Sequence, residues 1–115
     1  MKTLQVIWII VIINILACDK LDLKVEVPGC IEKKIKEFKD SRLTCDSGAQ
    51  VLRYDFQGEQ VYVFDRGNCG ADMPLEVYDN HCHKICSLGG IEGNTICDSL
   101  IFEENESNRL LLWKN

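Results

Sequence analysis

Seven cysteines are spread over 115 residues, and the first of them, Cys18, ends an apolar run that begins at Leu4. That run, LQVIWIIVIINILA, follows the single positive residue Lys2 and reads as a secretory signal. It includes Gln5 and Asn14 and is 14 residues long. A bilayer span needs roughly 20 predominantly apolar residues, so no permanent transmembrane helix is expected. Export decides what the other six cysteines do. In an oxidising compartment Cys30, Cys45, Cys69, Cys82, Cys86 and Cys97 default to disulfides, whereas in a reducing one the same thiols read as metal ligands or reactive groups. Six half-cystines permit 15 pairings. A chain of this size buries only about 60 to 65% of its unfolded surface, so cross-links worth about 2 to 4 kcal/mol each supply much of its net stability.

The run closes on Ile15-Leu16-Ala17-Cys18, which resembles a bacterial lipobox: a branched apolar residue three places before the cysteine and a small residue just before it. The resemblance implies cleavage before Cys18 and acylation of its thiol with palmitate-type chains. The membrane is then a partner through that lipid, with the leaflet left open. Two or more acyl chains make such anchoring stable, at about 0.8 kcal/mol per buried methylene. The expected organisation is a lipoprotein signal peptide at 1–17, a mixed-charge tether at 18–29 closed by Pro28-Gly29, and one small domain at 30–115.

The formal net charge is −5. Removing residues 1–17 takes away Lys2 and no carboxylate, which leaves −6 on 98 residues. Nucleic acid and anionic headgroups select basic patches, so neither is an expected partner.

In the segment 30–40, Ile31, Ile35 and Phe38 recur at helical spacing, with Lys33, Lys34, Lys36 and Lys39 turned mostly elsewhere. Two alternating runs, 51–56 and 59–64, flank Gln57-Gly58 and predict a hairpin. If Gln57-Gly58 is a two-residue turn, Leu52, Tyr54 and Phe56 share a face with Val61 and Val63; this is the favoured register, because glycine suits the second turn position. Residues 75–78 and 84–88 predict a second hairpin. A Gly-rich loop leads to Cys97, Ser99 resembles an N-cap for a short segment at 100–104, and the apolar run 110–113 predicts a last strand or a docked tail. The expected fold class is α+β: an N-terminal amphipathic helix packed on a small antiparallel β-sheet, stapled by disulfides.

The hexapeptide His81-Cys82-His83-Lys84-Ile85-Cys86 has metal-like chemistry. With its cysteines oxidised, His81 and His83 remain as two soft ligands, and a structural zinc site needs four. No metal or other cofactor is therefore expected, and a metal-binding module through His81, His83, Cys82 and Cys86 is a further alternative only where both cysteines stay reduced. Residues 69–86, with Cys69, Tyr78, Cys82 and Cys86, are similar to the central signature of Kazal-type protease inhibitors. The match departs by two extra residues before Tyr78 and by lacking the cysteines that would frame a reactive loop. It makes inhibition of an extracytoplasmic hydrolase the alternative function. Ser87, His81, His83 and Asp79 lie close in sequence without a nucleophile elbow or a phosphate loop, so no enzyme is expected.

The domain as a whole resembles a family of small cysteine-containing envelope lipoproteins of Bacteroidetes-type bacteria, whose domain is of unknown function. The residues that carry the resemblance are Cys30-Ile31, the hairpin with Tyr54, Gly58, Val61 and Tyr62, then Asn68-Cys69, Tyr78-Asp79, Ile85-Cys86, Gly89-Gly90, Gly93, Cys97-Asp98 and Trp113. It implies a bacterial cell-envelope location and a compact fold, but no activity. Among the possible pairings it favours Cys30 with Cys97 and Cys69 with Cys86, leaving Cys45 with Cys82. Small stapled lipoproteins of this kind are expected to bind an envelope protein or glycan through braced loops. Here those are 65–74 and 87–96, with Asp72, Met73, Gly89, Gly90 and Glu92 as the candidate contacts.

Overall fold

The computed structural model describes residues 23, 25–41, 44, 45, 47–68 and 73–115. The apolar run, Cys18, Cys69 and Asp72 lie outside the described residues. Helix α1 spans Gly29–Asp40, and strands β1 (Gln50–Phe56), β2 (Glu59–Asp65), β3 (Pro74–Tyr78) and β4 (Lys84–Gly89) follow. The short strands β5 (Ile96–Cys97) and β6 (Leu100–Ile101) lead into a single helical turn, α2 (Phe102–Asn105), and the long strand β7 (Glu106–Lys114). Among the described residues no helix is long and apolar enough to cross a membrane.

Both turn residues of the first hairpin have positive φ, 54° at Gln57 and 76° at Gly58. This two-residue geometry matches the twist of the flanking strands and sets Phe56 against Glu59, Tyr54 against Val61 and Leu52 against Val63. The favoured register is therefore the observed one. Successive side chains leave a strand on opposite sides, so Leu52, Phe56, Val61 and Val63 line one face while Val51, Tyr62 and Phe64 line the other. The predicted second hairpin and last strand also form, with β7 reaching back to Glu106. β7 pairs antiparallel with β1 and closes a five-stranded sheet of order β4-β3-β2-β1-β7. The pairing slips by one residue between Arg53 and Asp55, where Asn108 takes up a left-handed φ of 53°. That residue absorbs the extra length as a bulge.

The sheet is covered on both faces. Over one face Val77, Leu88, Cys97 and Phe102 join the first set of strand residues. Over the other, Ile31 and Ile35 of α1 pack with Val51, Tyr62, Phe64 and Leu112, and Leu23, Val25 and Val27 lie against the same cluster. Part of the segment read as a tether thus rests on the core.

The α+β expectation is overturned. The molecule is mostly antiparallel sheet, one sheet of five strands and one of two, and its only helix longer than a turn among the described residues is α1. That helix begins at Gly29 rather than at the N-terminus, and it does not have the wide apolar stripe of an amphipathic helix. Only Ile31 and Ile35 are buried, and the half-buried positions Glu32, Lys34, Lys36 and Phe38 mix charge with one ring. Lys34 lies over the Tyr78 ring, 4.2 Å from its centroid, so what reads as a lysine of a solvated face covers part of the sheet.

The disulfides are Cys30–Cys82, with Cα atoms 6.2 Å apart, and Cys86–Cys97, at 5.2 Å. Cys45 is also disulfide-bonded. None of the three expected pairings, Cys30–Cys97, Cys69–Cys86 and Cys45–Cys82, can therefore form. The reason is spatial. The first turn of α1 lies at the β3–β4 tip that carries Cys82, and the Gly-rich segment doubles back to bring Cys97 of β5 beside Cys86 of β4. Ser99 is not an N-cap either. Asp98 and Ser99, with φ of 48° and 66°, form the turn between β5 and β6, and α2 starts three residues later without a side-chain cap.

Candidate functional site

The HCHKIC segment forms the tip of the β3–β4 hairpin. Asp79 organises it: its Oδ1 accepts from the backbone N–H of His81 at 2.8 Å and of His83 at 2.9 Å, and its Oδ2 lies 3.5 Å from His83 Nδ1. Partial burial pushes the Asp79 carboxyl up, but the N–H groups of His83 and His81 and their nearby imidazoles outweigh it and hold the group below its ordinary value. Below the tip, buried Tyr62 donates to Asn80 Oδ1 at 3.0 Å, and burial raises the phenol against the lowering charge of Arg53. Cys82 and Cys86 are each bonded to another cysteine, so neither offers a thiolate. Both imidazoles are exposed, 6.3 Å apart. No group of three or more metal-ligating side chains gathers among the described residues. Ser87 donates its hydroxyl to Glu76 at 3.1 Å, and Lys84 pairs with the same Glu76 oxygen at 2.7 Å, so Ser87 and the histidines are not joined.

Of the two loops expected to make contacts, 87–96 is described throughout. Gly89 ends β4 and exchanges backbone hydrogen bonds with Asn94, 2.7 Å from the Gly89 N–H and 3.2 Å back. Between them the Gly93 N–H bonds the Gly90 carbonyl at 3.1 Å, closing a tight turn over Gly90, Ile91, Glu92 and Gly93. Gly90 and Gly93 supply the positive φ, 73° and 61°, that the turn requires. The Asn94 side chain locks the base of the turn. Its Nδ2 donates to the carbonyls of Ser87 at 2.7 Å and Ile96 at 3.0 Å, and its Oδ1 accepts from the Ile96 N–H at 3.2 Å. The tip presents Glu92 and Ile91, the latter 93% exposed.

Of the loop 65–74, the described part is anchored at both ends. Asp65 Oδ1 accepts from the Gly67 N–H at 2.9 Å, the Asn68 N–H bonds the Ser47 carbonyl at 3.0 Å, and Met73 is half-buried. Pro74 pairs with Gly89. The two loops therefore meet, and Pro74, Ser87, Gly90, Glu92 and Asn94 border a shallow depression of about 570 Å³. A second cleft, of about 590 Å³, has Tyr54, Leu75 and Phe102 on its walls and Glu103, Glu106 and Arg109 among its polar lining.

Of the candidate contacts named by the sequence reading, Gly89, Gly90 and Glu92 lie at the 90–93 turn. That reading missed Asn94, whose acceptor and donors hold the loop, and it missed Ile91, Ile96 and Ile101. The available signal was an isoleucine between glycines and a short Asn-Thr-Ile step, where an aliphatic side chain has no strand or helix partner to bury it.

None of the curated proteins and none of the solved structures compared with the chain matches it. A family model described as a domain of unknown function (DUF6970) matches residues 36–115, and the chain belongs to that family.

Proposed function

We propose that the chain is a lipid-anchored module of the bacterial cell envelope that binds an envelope protein or glycan without catalysing a reaction on it. The observation that carries the reading is the rigid turn over residues 90–93. A loop braced by Asn94 and by the Cys86–Cys97 bridge, with a fully presented isoleucine at its tip, is ordered before any partner arrives and loses little entropy on binding. Two disulfides fit an extracytoplasmic compartment, and the apolar run ending in Ile15-Leu16-Ala17-Cys18 fits a lipoprotein signal peptide with acylation at Cys18.

Site-specific photo-cross-linking in native membranes tests the binding. A photoreactive residue replacing Glu92 is expected to trap a discrete partner, whereas one replacing Lys33 on the opposite face is not. Equal labelling at both positions, or none at Glu92, refutes the contact surface. Cys18→Ser tests the anchor, since the variant is expected to leave the membrane fraction. Stoichiometric inhibition of a protease or lysozyme by the purified chain would replace this reading with that of a hydrolase inhibitor.

A further inference from the structure

We infer that the outer face of the β5–β6 layer, together with the neighbouring turn over residues 90–93, docks a protein surface whose apolar side chains are ringed by lysine or arginine. The inference rests on the binding-module reading and adds the chemistry of the partner. Two properties of the same stretch carry it.

The first is where apolar surface is exposed. The large hydrophobic residues exposed among the described ones are Ile91 (93%), Ile96 (50%), Ile101 (41%) and Leu100 (37%), all within one stretch of the chain. Ile96 and Ile101 face each other across β5 and β6, and the alternate position Cys97 is completely buried. The isoleucine pair must therefore point away from the core, since neighbours in a strand leave on opposite sides. A concentration of aliphatic side chains on an otherwise polar surface marks an interaction site.

The second property is charge. From residue 85 to residue 108 there is no lysine, arginine or histidine, while Glu92, Asp98, Glu103, Glu104 and Glu106 supply five carboxylates. Glu92, Asp98, Glu103 and Glu104 are exposed and form no ion pair among the described residues. An apolar patch set among carboxylates that form no ion pair selects its complement. Anionic lipid and nucleic acid are repelled, and a second copy would bring the same carboxylates face to face. A glycan would leave the isoleucines against hydroxyl groups, and the ring of this layer, Phe102, is buried. A basic protein surface with apolar side chains satisfies both properties. The face is also preorganised, by Cys86–Cys97 beneath it, by the Asn94 network, and by the Phe102 N–H bonded to the Thr95 carbonyl at 3.0 Å.

The test uses the full chain in an uncharged detergent and short synthetic peptides as probes: one of alternating leucine and lysine, one of leucine and glutamate, and one of serine and lysine. The leucine–lysine peptide is expected to bind, more weakly as salt rises from about 0.05 to about 0.5 M. Ile91→Ser, at a position too exposed to hold the fold, and the triple variant Glu92→Gln, Glu103→Gln, Glu104→Gln are each expected to weaken it at least about tenfold. Equal binding of the serine–lysine peptide, or of the leucine–glutamate peptide, overturns the inference, as does indifference to Ile91→Ser. Self-association that Ile91→Ser abolishes would give the face to a second copy and also overturn it. Should photo-cross-linking at position 92 still trap a discrete partner while the peptides ignore the patch, the binding reading stands and the basic-apolar partner falls.

Discussion

Replacing Phe102 by alanine tests how the second layer is held to the sheet. Phe102 is the one buried residue of α2, only 6% exposed, and its ring meets Tyr54 edge-on at 5.3 Å and Phe56 at 5.1 Å. Truncating a buried phenylalanine costs about 3 to 5 kcal/mol through lost transfer energy plus the cavity left behind. Here the new space joins a cleft of about 590 Å³ that already borders the ring, so water and neighbouring side chains can enter and the lower end applies. A loss of about 3 kcal/mol lowers the melting temperature of a domain this size by about 12 to 24 °C. Urea titration followed by circular dichroism measures it. In a double-mutant cycle with Tyr54→Leu, the edge-on pair is expected to show a coupling of about 0.5 to 1.5 kcal/mol. A loss under about 1 kcal/mol, within the ordinary range of point mutants, would falsify the role of Phe102 as the anchor of this layer, and zero coupling would remove the ring contact from the account.

Gly67→Ala is expected to destabilise by more than about 1 kcal/mol, because its φ is +91° and a Cβ there collides with backbone atoms of Ser47, Gly48 and Ala49; Gly29→Ala, with open space around it in the first turn of α1, is expected to stabilise by about 0.5 kcal/mol in the same denaturation assay. Asp79→Asn tests the hairpin tip. A carboxyl held below its ordinary value stabilises the fold above the ordinary carboxylate range, and this advantage over the variant should vanish as the pH falls below that range and the folded-state carboxyl is protonated, read as converging unfolding midpoints. Asn94→Ala removes three hydrogen bonds from the base of the 90–93 turn and should speed amide exchange at Gly89 and Gly93 while leaving β1 and β2 protected. Val25→Asp combined with Val27→Asp should cost about 2 kcal/mol or more by forcing carboxylates against the α1-side core, and an unchanged urea midpoint would mean that the segment contributes nothing.

What could be read from the sequence follows the reach of each signal. Gln57-Gly58 between two alternating runs specifies a local hairpin with one favoured turn, and the register follows from it. The apolar run 110–113 announces a strand, although its partner β1 lies half the chain away and only the fold reveals it. β5 and β6 hold two residues each, too few for any periodicity, so Ser99 read as a helix start instead of part of a turn. Cysteine pairing is nonlocal as well. It depends on which loops stack, and here α1 meets the β3–β4 tip while β5 folds back on β4. The turn at Gly89, Gly90 and Glu92 was legible because glycine turns are local. Ile91, Ile96 and Ile101 were not, since an aliphatic residue is assigned to the core until the fold leaves it outside.

The segment before α1 shows how a period can be overlooked when charge draws attention first. Leu21, Leu23, Val25 and Val27 alternate with Asp22, Lys24 and Glu26, a period-two pattern that suits an extended chain laid on an apolar surface. Leu23, Val25 and Val27 do rest on the cluster of Ile31, Ile35, Tyr62 and Leu112. This bears on the proposed anchor. If Cys18 carries the acyl chains, only four residues separate it from Leu23, and the five steps between them, at about 3.4 Å each, span no more than about 17 Å. That is close to half the roughly 30 Å hydrocarbon thickness of a bilayer, so the domain would ride at the headgroup surface instead of on a long stalk. Leu23, Val25 and Val27 pack on the α1 face of the sheet, whereas Phe102 and Cys97, beneath the acidic, isoleucine-bearing layer, pack on the other. Opposite sides of one sheet would then serve attachment and recognition, and the charge pattern agrees, since the side bearing the carboxylates is the one an anionic membrane surface would push away.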